Sequence, residues 1–202
     1  MERKIIAIHG LMGHGKDTLG LIISNILKDK KVFKKSFALK VKENISNITG
    51  ILMLNVEDYG YSNNFLDFSR EQKQTYLPDF DMTLGVMLQK YATEACRDNV
   101  HKDIWAIAAI KSIPKISDDV FIFTDLRFEN EIHLLKKEEG VTFIKIKRNH
   151  GVIGEKRNLS HESEKGLSDK FFDFIIDNNG NLNDLSIKAT KICQQIKLKE
   201  IK

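Results

Sequence analysis

The first 28 residues restrict what this chain can fold into more than any other stretch. Lys4 to His9 holds Ile5, Ile6, Ala7 and Ile8, a continuous apolar run suited to a strand buried on both faces of a parallel sheet. Gly10 ends that run. Leu19, Ile22, Ile23, Ile26 and Leu27 then recur at helical spacing, which predicts a helix from about Lys16 to Lys28 with its apolar side on the sheet. Between the two, Gly10-Leu11-Met12-Gly13-His14-Gly15-Lys16-Asp17-Thr18 contains the pattern GxxxxGK. Glycines in such a loop let backbone N–H groups curl around phosphate oxygens. The lysine neutralises β- and γ-phosphate charge, and the following helix turns its positive dipole end toward the anion. The pattern is short, but its place between a buried strand and an amphipathic helix predicts a phosphate-binding loop. His14 is expected to offer its backbone only.

The rest of the chain repeats the alternation of strand and helix. Val32 to Ala38 reads as a weaker strand, and Leu84, Met87, Leu88, Tyr91, Ala92 and Ala95 mark a helix from about Thr83 to Arg97, followed by a second through Trp105 and Ala108. Val120 to Phe123 is another buried-strand run ending at Thr124 and Asp125, with a helix carrying Ile132 and Leu135 after it. Val141 to Ile146 and Phe172 to Ile176 are further strands. The last is followed by a turn at Asn178 to Gly180 and a helix through Leu185, Ala189, Ile192 and Ile196. The expected architecture is a single α/β domain over the 202 residues, a P-loop three-layer fold around a parallel five-stranded sheet. Two stretches resist the pattern, Gly50 to Asp81 and Asn149 to Lys170, and long irregular insertions of this kind are usually binding loops or lids.

Composition excludes several classes. With 42% hydrophobic and 30% charged residues the chain is ordinary for a globular protein, and no apolar run approaches a bilayer span, so a soluble cytoplasmic protein without a membrane partner is expected. Cys96 and Cys193 lack the spacing of a zinc site or a disulfide framework. A net charge of +4 and the lysines between Lys28 and Lys35 could attract nucleic acid, but aromatics are not interleaved with them; they read as a solvated helix end and turn, and no nucleic-acid partner is expected.

Asp17 stands where the loop pattern usually has a Ser or Thr that ligates magnesium, with Thr18 next in line. A carboxylate is itself a hard-oxygen ligand, so Asp17 is the candidate metal ligand, with Mg²⁺ as cofactor. Four arginines, Arg97, Arg127, Arg148 and Arg157, stand where two polyanions would have to be brought together: at a helix end, just past a strand, and bordering the charged insertion. Each could also be a surface residue or part of an ion pair, an alternative that weighs more for Arg148 and Arg157 than for Arg97 and Arg127. Arg127 is the best placed, since ligands of open α/β sheets sit beyond the carboxyl ends of the strands. Asp125 reads either as a magnesium or acceptor contact or as a helix N-cap, and Trp105 either as core or as a wall of a binding site.

Taken in order, several segments resemble the bacteriophage deoxynucleoside monophosphate kinases and their relatives among the nucleoside monophosphate kinases. They are the GKDT form of the loop, Ser36 to Lys40, Leu88 to Arg97 before Trp105, Thr124 to Glu131, His161 to Glu164, and Asp177 to Gly180. The resemblance implies transfer of the ATP γ-phosphate to a deoxynucleoside monophosphate. It implies an ATP site of Gly10 to Thr18 with Asn178 and Gly180, and an acceptor site of Ser36, Phe37, Lys40, Arg97, Trp105, Asp125, Arg127 and Glu131. Lys16 and the four arginines would act in catalysis. It also implies an acceptor-binding insertion at about residues 39–105 and a lid at about 148–165. Two departures stand out, Gly85 near a position where the family often has arginine, and Glu129 where it often has proline. The GKD loop alone would equally permit a kinase for dephospho-coenzyme A, phosphomevalonate or another small phosphate. A nucleotide-dependent switch or nucleic-acid-associated ATPase is the reading of another class. The base preference, and whether the chain forms a homodimer, stay open at this level.

Overall fold

The computed structural model describes residues 3–56, 60–149 and 166–198. By contacts the chain divides into two compact units, one of Met1–Lys35, Tyr59–Asn63 and Pro114–Lys202, the other of Ser36–Asp58 and Asn64–Ile113.

The first unit is the sheet. Strand β1 (Lys4–His9) lies between β7 (Val120–Leu126) and β8 (Val141–Lys147), with β2 (Val32–Lys35) outside β7 and β9 (Phe174–Asp177) outside β8. All four pairings are parallel, so the five-stranded parallel sheet is present as expected. Ile6 and Ile8 of β1, Ile122 of β7 and Ile144 of β8 share one core with Leu19 and Ile23 of helix α1 (Lys16–Ile26) and with Leu185 and Ala189 of helix α7 (Leu182–Leu198). The alternate residues Ile5, Ala7, Phe121, Phe123 and Phe143 are buried as well. A strand with both faces covered has no reason to alternate, which is why these runs are apolar throughout. Helix α6 (Glu129–Leu135) follows β7 and buries Ile132 and Leu135.

The free edge of β2 is covered by a short return of chain. Ser62 N–H donates to the Val32 carbonyl at 2.7 Å, and the Asn63 side chain accepts from Lys34 N–H (2.8 Å) and donates to the Lys34 carbonyl (3.1 Å). An edge strand whose ladder groups are taken in this way is no template for another chain. The strand expected from Val32 is present, and it corrects the reading of the lysine cluster as a solvated helix end and turn: Lys34 and Lys35 lie in the strand, and Lys34 is 8% exposed. The strand also stops before Ser36, whose hydroxyl accepts Ala38 N–H at 3.1 Å and turns the chain.

The second unit packs α2 (Leu39–Thr49) and α4 (Leu84–Lys90) around Ile45, Phe68, Leu77 and Leu84. The stretch expected to be irregular holds two small hairpins, β3 (Leu54–Val56) with β4 (Phe65–Asp67) and β5 (Tyr76–Leu77) with β6 (Met82–Thr83). Between them lies the short helix α3 (Arg70–Gln74), started by a reciprocal Ser69–Gln72 capping box. The single helix expected from Thr83 to Arg97 is two pieces: α4 passes at Tyr91–Asp98 into wider π-type turns. Trp105, on helix α5 (Ile104–Lys111), donates its indole N–H to the Ala92 carbonyl at 2.9 Å, and an outside donor on a helix carbonyl is a recognised cause of such a break.

Gly85 also finds its reason here. A Cβ on it would lie 2.9 Å from the Lys73 carbonyl oxygen, so an arginine at this position would force α3 and α4 apart.

Leu19 is fully buried against the sheet, so Leu19→Ala is expected to cost about 2–5 kcal/mol in chemical denaturation. Leu52→Ala, at a site 76% exposed, is expected to shift stability by less than about 0.5 kcal/mol.

Candidate functional site

Where β1 ends, at the carboxyl edge of the sheet, the chain enters the glycine loop. Gly15 is the N-cap of α1 with φ +93°, a conformation that L side chains rarely adopt, and a Cβ there would lie 2.7 Å from the Asn178 amide nitrogen. Glycine is therefore required twice over at this point. Asn178, at the end of β9, braces the loop: its side-chain N–H donates to the His14 carbonyl at 3.0 Å, while its own backbone N–H donates to Lys147 at 2.7 Å. The His14 ring adds a second brace, with Nδ1 3.3 Å from the Ile146 carbonyl. Lys16 arches back over the loop, its Nζ donating to the Leu11 carbonyl at 2.9 Å.

A cavity of about 460 Å³ opens above this loop. Gly13, Gly15, Lys16, Asp17 and Thr18 line it from one side, Arg148, Asn178, Gly180, Asn181, Leu182 and Leu185 from the other. Its size suits a nucleotide, and the lining joins donors and cations at the phosphate end with the two leucines of α7. The start of α7 is fixed by Asn181 and Asp184, each taking the other's backbone N–H at 3.0–3.1 Å.

The donor set also suits Mg²⁺. Asp17 and Thr18 offer a carboxylate and a hydroxyl at the cavity, hard-oxygen groups of the kind that magnesium takes alongside phosphates and water. Asp17 has further partners that the sequence did not reveal. Its Oδ1 accepts the Thr124 hydroxyl at 2.6 Å and lies 3.4 Å from Lys34 Nζ.

Past β7 the chain turns through Arg127. Glu131, 6% exposed, accepts Arg127 N–H at 2.7 Å and Phe128 N–H at 3.0 Å, and so holds the turn that carries Arg127. Asp125 lies inside β7 and the N-cap of α6 is Phe128, which removes the N-cap alternative for Asp125. In the second unit Ser36 and Phe37 are buried, Lys40 is exposed and pairs with Glu43 at 2.5 Å, and Arg97 is half-buried in the π-type turns. Trp105 is half-buried and tied to Ala92, with Tyr91 beside its ring at 5.9 Å. Arg157, His161, Glu164 and nearly all of the expected lid lie outside the described residues.

Lys34 and Thr124 were missed in the sequence reading. A signal existed for Lys34: in Val32-Phe33-Lys34-Lys35, strand alternation puts Lys34 on the side of buried Val32, and a lysine there demands a partner. Nothing local points to Thr124, whose role depends on Asp17, far away in sequence.

The model of the family described as deoxynucleotide monophosphate kinase matches residues 28–189, most of the chain. This chain belongs to that family. The deoxynucleoside-5'-monophosphate kinase of Escherichia phage T5 is 29% identical over 126 residues, 61% of this chain and 50% of that protein. The matched part thus spans about half the length of that relative. Among solved structures, shikimate kinase from Acinetobacter baumannii in complex with shikimate is 12% identical at a TM-score of 0.44, covering 100% of this chain and 96% of that one. Dephospho-CoA kinase from Campylobacter jejuni is 16% identical at 0.41, covering 96% and 97%. Likenesses at this level decide nothing about the substrate. The deoxynucleotide monophosphate kinase match begins at residue 28, so the glycine loop rests on its own pattern and geometry. No helix among the described residues is long and apolar enough to cross a membrane.

His9, the last residue before the loop, ties the site to the sheet. It is 2% exposed, stacked on Phe172 at 5.5 Å, with Nδ1 2.9 Å from the Leu126 carbonyl and Nε2 3.2 Å from Leu167 N–H. One neighbour only accepts and the other only donates, so the ring is neutral with its proton on Nδ1. Burial is the main reason its pKa is lowered from 6.5 to about 4; the Leu126 bond opposes the shift, and the positive charges of Lys145 and Lys16 reinforce it. A depressed histidine stabilises the fold fully above pH 6.5, and the unfolded chain takes up the proton first as pH falls. About 3 kcal/mol is therefore expected to be lost between pH 6.5 and about 4. Urea denaturation across that window should show the loss, and His9→Gln, though less stable, should lack this part of the acid dependence.

Proposed function

We propose that the chain transfers the γ-phosphate of ATP to a deoxynucleoside monophosphate. The observation that carries this reading is the glycine loop, with Lys16 arched over it at the mouth of a nucleotide-sized cavity, in a chain of the deoxynucleotide monophosphate kinase family. The phage relative's name supports the choice of acceptor.

In this reading the loop N–H groups, Lys16 and Arg148 hold the donor phosphates, and Asn178 and Gly180 border the nucleotide. Asp17 and Thr18 would hold Mg²⁺, which when bound neutralises phosphate charge and orients the γ-phosphate. Arg127 and Arg97 serve the acceptor phosphate, with Arg157 as a further cation. Ser36, Phe37, Lys40, Trp105 and Asp125 belong to the acceptor side, and Glu131 serves there by holding the turn of Arg127. An acceptor phosphate oxygen attacks the γ-phosphorus in line, the bond to the β-phosphate oxygen breaks, and ADP and a deoxynucleoside diphosphate leave. The acceptor's second pKa is about 6, so its oxygens are anionic at neutral pH and no general base is required. Residues 39–105 act as the acceptor-binding insertion. A phage-encoded chain would work in the cytoplasm of its host, where both substrates occur.

A coupled ADP-release assay across all common deoxy- and ribonucleoside monophosphates tests the proposal. Deoxynucleotides should be used in preference; transfer only to a non-nucleotide phosphate, or acceptor-independent hydrolysis, would overturn it. Lys16→Ala should lower kcat by roughly a hundredfold to a thousandfold or more in a folded protein. Arg97→Ala and Arg127→Ala should each weaken acceptor use about tenfold to a hundredfold with little change in ATP binding, since a charge-assisted phosphate contact contributes about 1.5–3 kcal/mol. Equal loss of ATP affinity by equilibrium titration would move them to the donor side.

A further inference from the structure

Lys34 is an unusual lysine. Its side chain is 9% exposed, its backbone N–H and carbonyl are both held by the Asn63 amide, and its Nζ lies 5.7 Å from the centre of the Tyr61 ring. These contacts aim the ammonium along the carboxyl edge of the sheet, to 3.4 Å from Asp17 Oδ1. The Thr124 hydroxyl donates to the same oxygen at 2.6 Å. Asp17 itself remains 71% exposed in its side chain and lines the cavity beside Lys16. A hydrogen bond from Thr124 and an ion pair with Lys34 meet on one oxygen and restrain a carboxylate that would otherwise swing freely.

We propose that Lys34 is a positioning residue of the donor site, which with Thr124 fixes the Asp17 carboxylate and cancels its charge toward the phosphates. A carboxylate directly after the loop lysine repels polyphosphate, and a buried ammonium behind it offsets the repulsion without entering the cavity. The loop thereby gains a hard-oxygen group for a cation at small cost in affinity for the anion. This rests on reading the cavity as the site of ATP.

The test is equilibrium binding of ATP and ADP, with excess Mg²⁺ and with EDTA, to the whole chain and its variants. Lys34→Met should weaken metal-free nucleotide by roughly tenfold, the order that one unit charge about 10 Å from the phosphates gives at an effective dielectric of about 20, and weaken the magnesium complex much less. Asp17→Asn, which leaves Lys34 uncompensated, should tighten metal-free nucleotide. The double variant should bind it nearly as the unaltered chain does. Lys34→Arg should keep most of the unaltered behaviour, and melting curves report whether each variant is folded. Equal weakening of both nucleotide forms by Lys34→Met, or a double variant that binds metal-free nucleotide as weakly as Lys34→Met alone, would overturn the proposal, because the charge that Lys34 offsets would then not be that of Asp17. Should Lys34→Met not fold, Lys34→Arg decides: unaltered metal dependence supports the proposal, and a changed ratio of the two affinities overturns it. If the unaltered chain binds no nucleotide, the donor reading itself fails, an outcome distinct from the absence of coupling.

Discussion

Parallel ladders hold β1 on both sides, from Lys4 opposite Val120 to His9 opposite Leu126, and from Ile5 opposite Val141 to His9 opposite Lys145. The other groups around the glycine-loop cavity depend on this double pairing. Since all the strands run the same way, their carboxyl ends come to one edge, and whatever follows each strand faces the same space. The glycine loop follows β1, Arg127 follows β7, Arg148 follows β8 and Asn178 follows β9. None of these polar groups would be tolerated one residue pair deeper, where Ile8, Phe123 and Ile144 are almost fully buried. His9 marks the boundary. It is the first polar side chain along β1 after the apolar run, and it remains neutral because it lies in the core while both ring nitrogens find backbone partners.

Charge at the loop is balanced in layers. Lys16 faces the cavity, Asp17 stands next to it, and Lys34 reaches Asp17 from the edge strand β2. A solvent-exposed ion pair would contribute little, but here the lysine is largely removed from water while the aspartate is not. Such a pair acts less through stability than by setting where the carboxylate points and what field it projects. The return segment that seals the edge of β2 also holds Lys34, so one stretch of chain protects the sheet and positions a charge.

How much of this could be read from the sequence follows from how local each feature is. The strand, the loop and α1 were legible because everything that specifies them falls within the first 28 residues, and burial on both faces leaves a continuous apolar run. The β7 and β8 strands were legible for the same reason, whereas β9, an edge strand with Ile175 exposed, was legible from its short apolar run alone. The second unit was not. Its strands are two or three residues long, too short to alternate, and α2 carries only Val41 and Ile45 as buried positions. The break at Tyr91 depends on an indole thirteen positions beyond Ala92. Lys34 was misread because a run of lysines looks like a solvated surface until the strand places one of them inward.

Donor and acceptor recognition differ in the same respect. Binding a triphosphate end takes backbone N–H groups in a row, one lysine and a helix start, all of them available within nine residues from Gly10 to Thr18. That is why the loop could be recognised from pattern and context alone, and why its geometry stands although the family match begins only at residue 28. An acceptor has a base, a sugar and a phosphate, each met by different side chains on different elements. The residues that resemble the family's acceptor set run from Ser36 to Glu131 across both units of the chain. No short window contains that information. Similarity over most of the chain is the kind of observation that bears on an acceptor, whereas a phosphate-binding loop is specified by local physics alone.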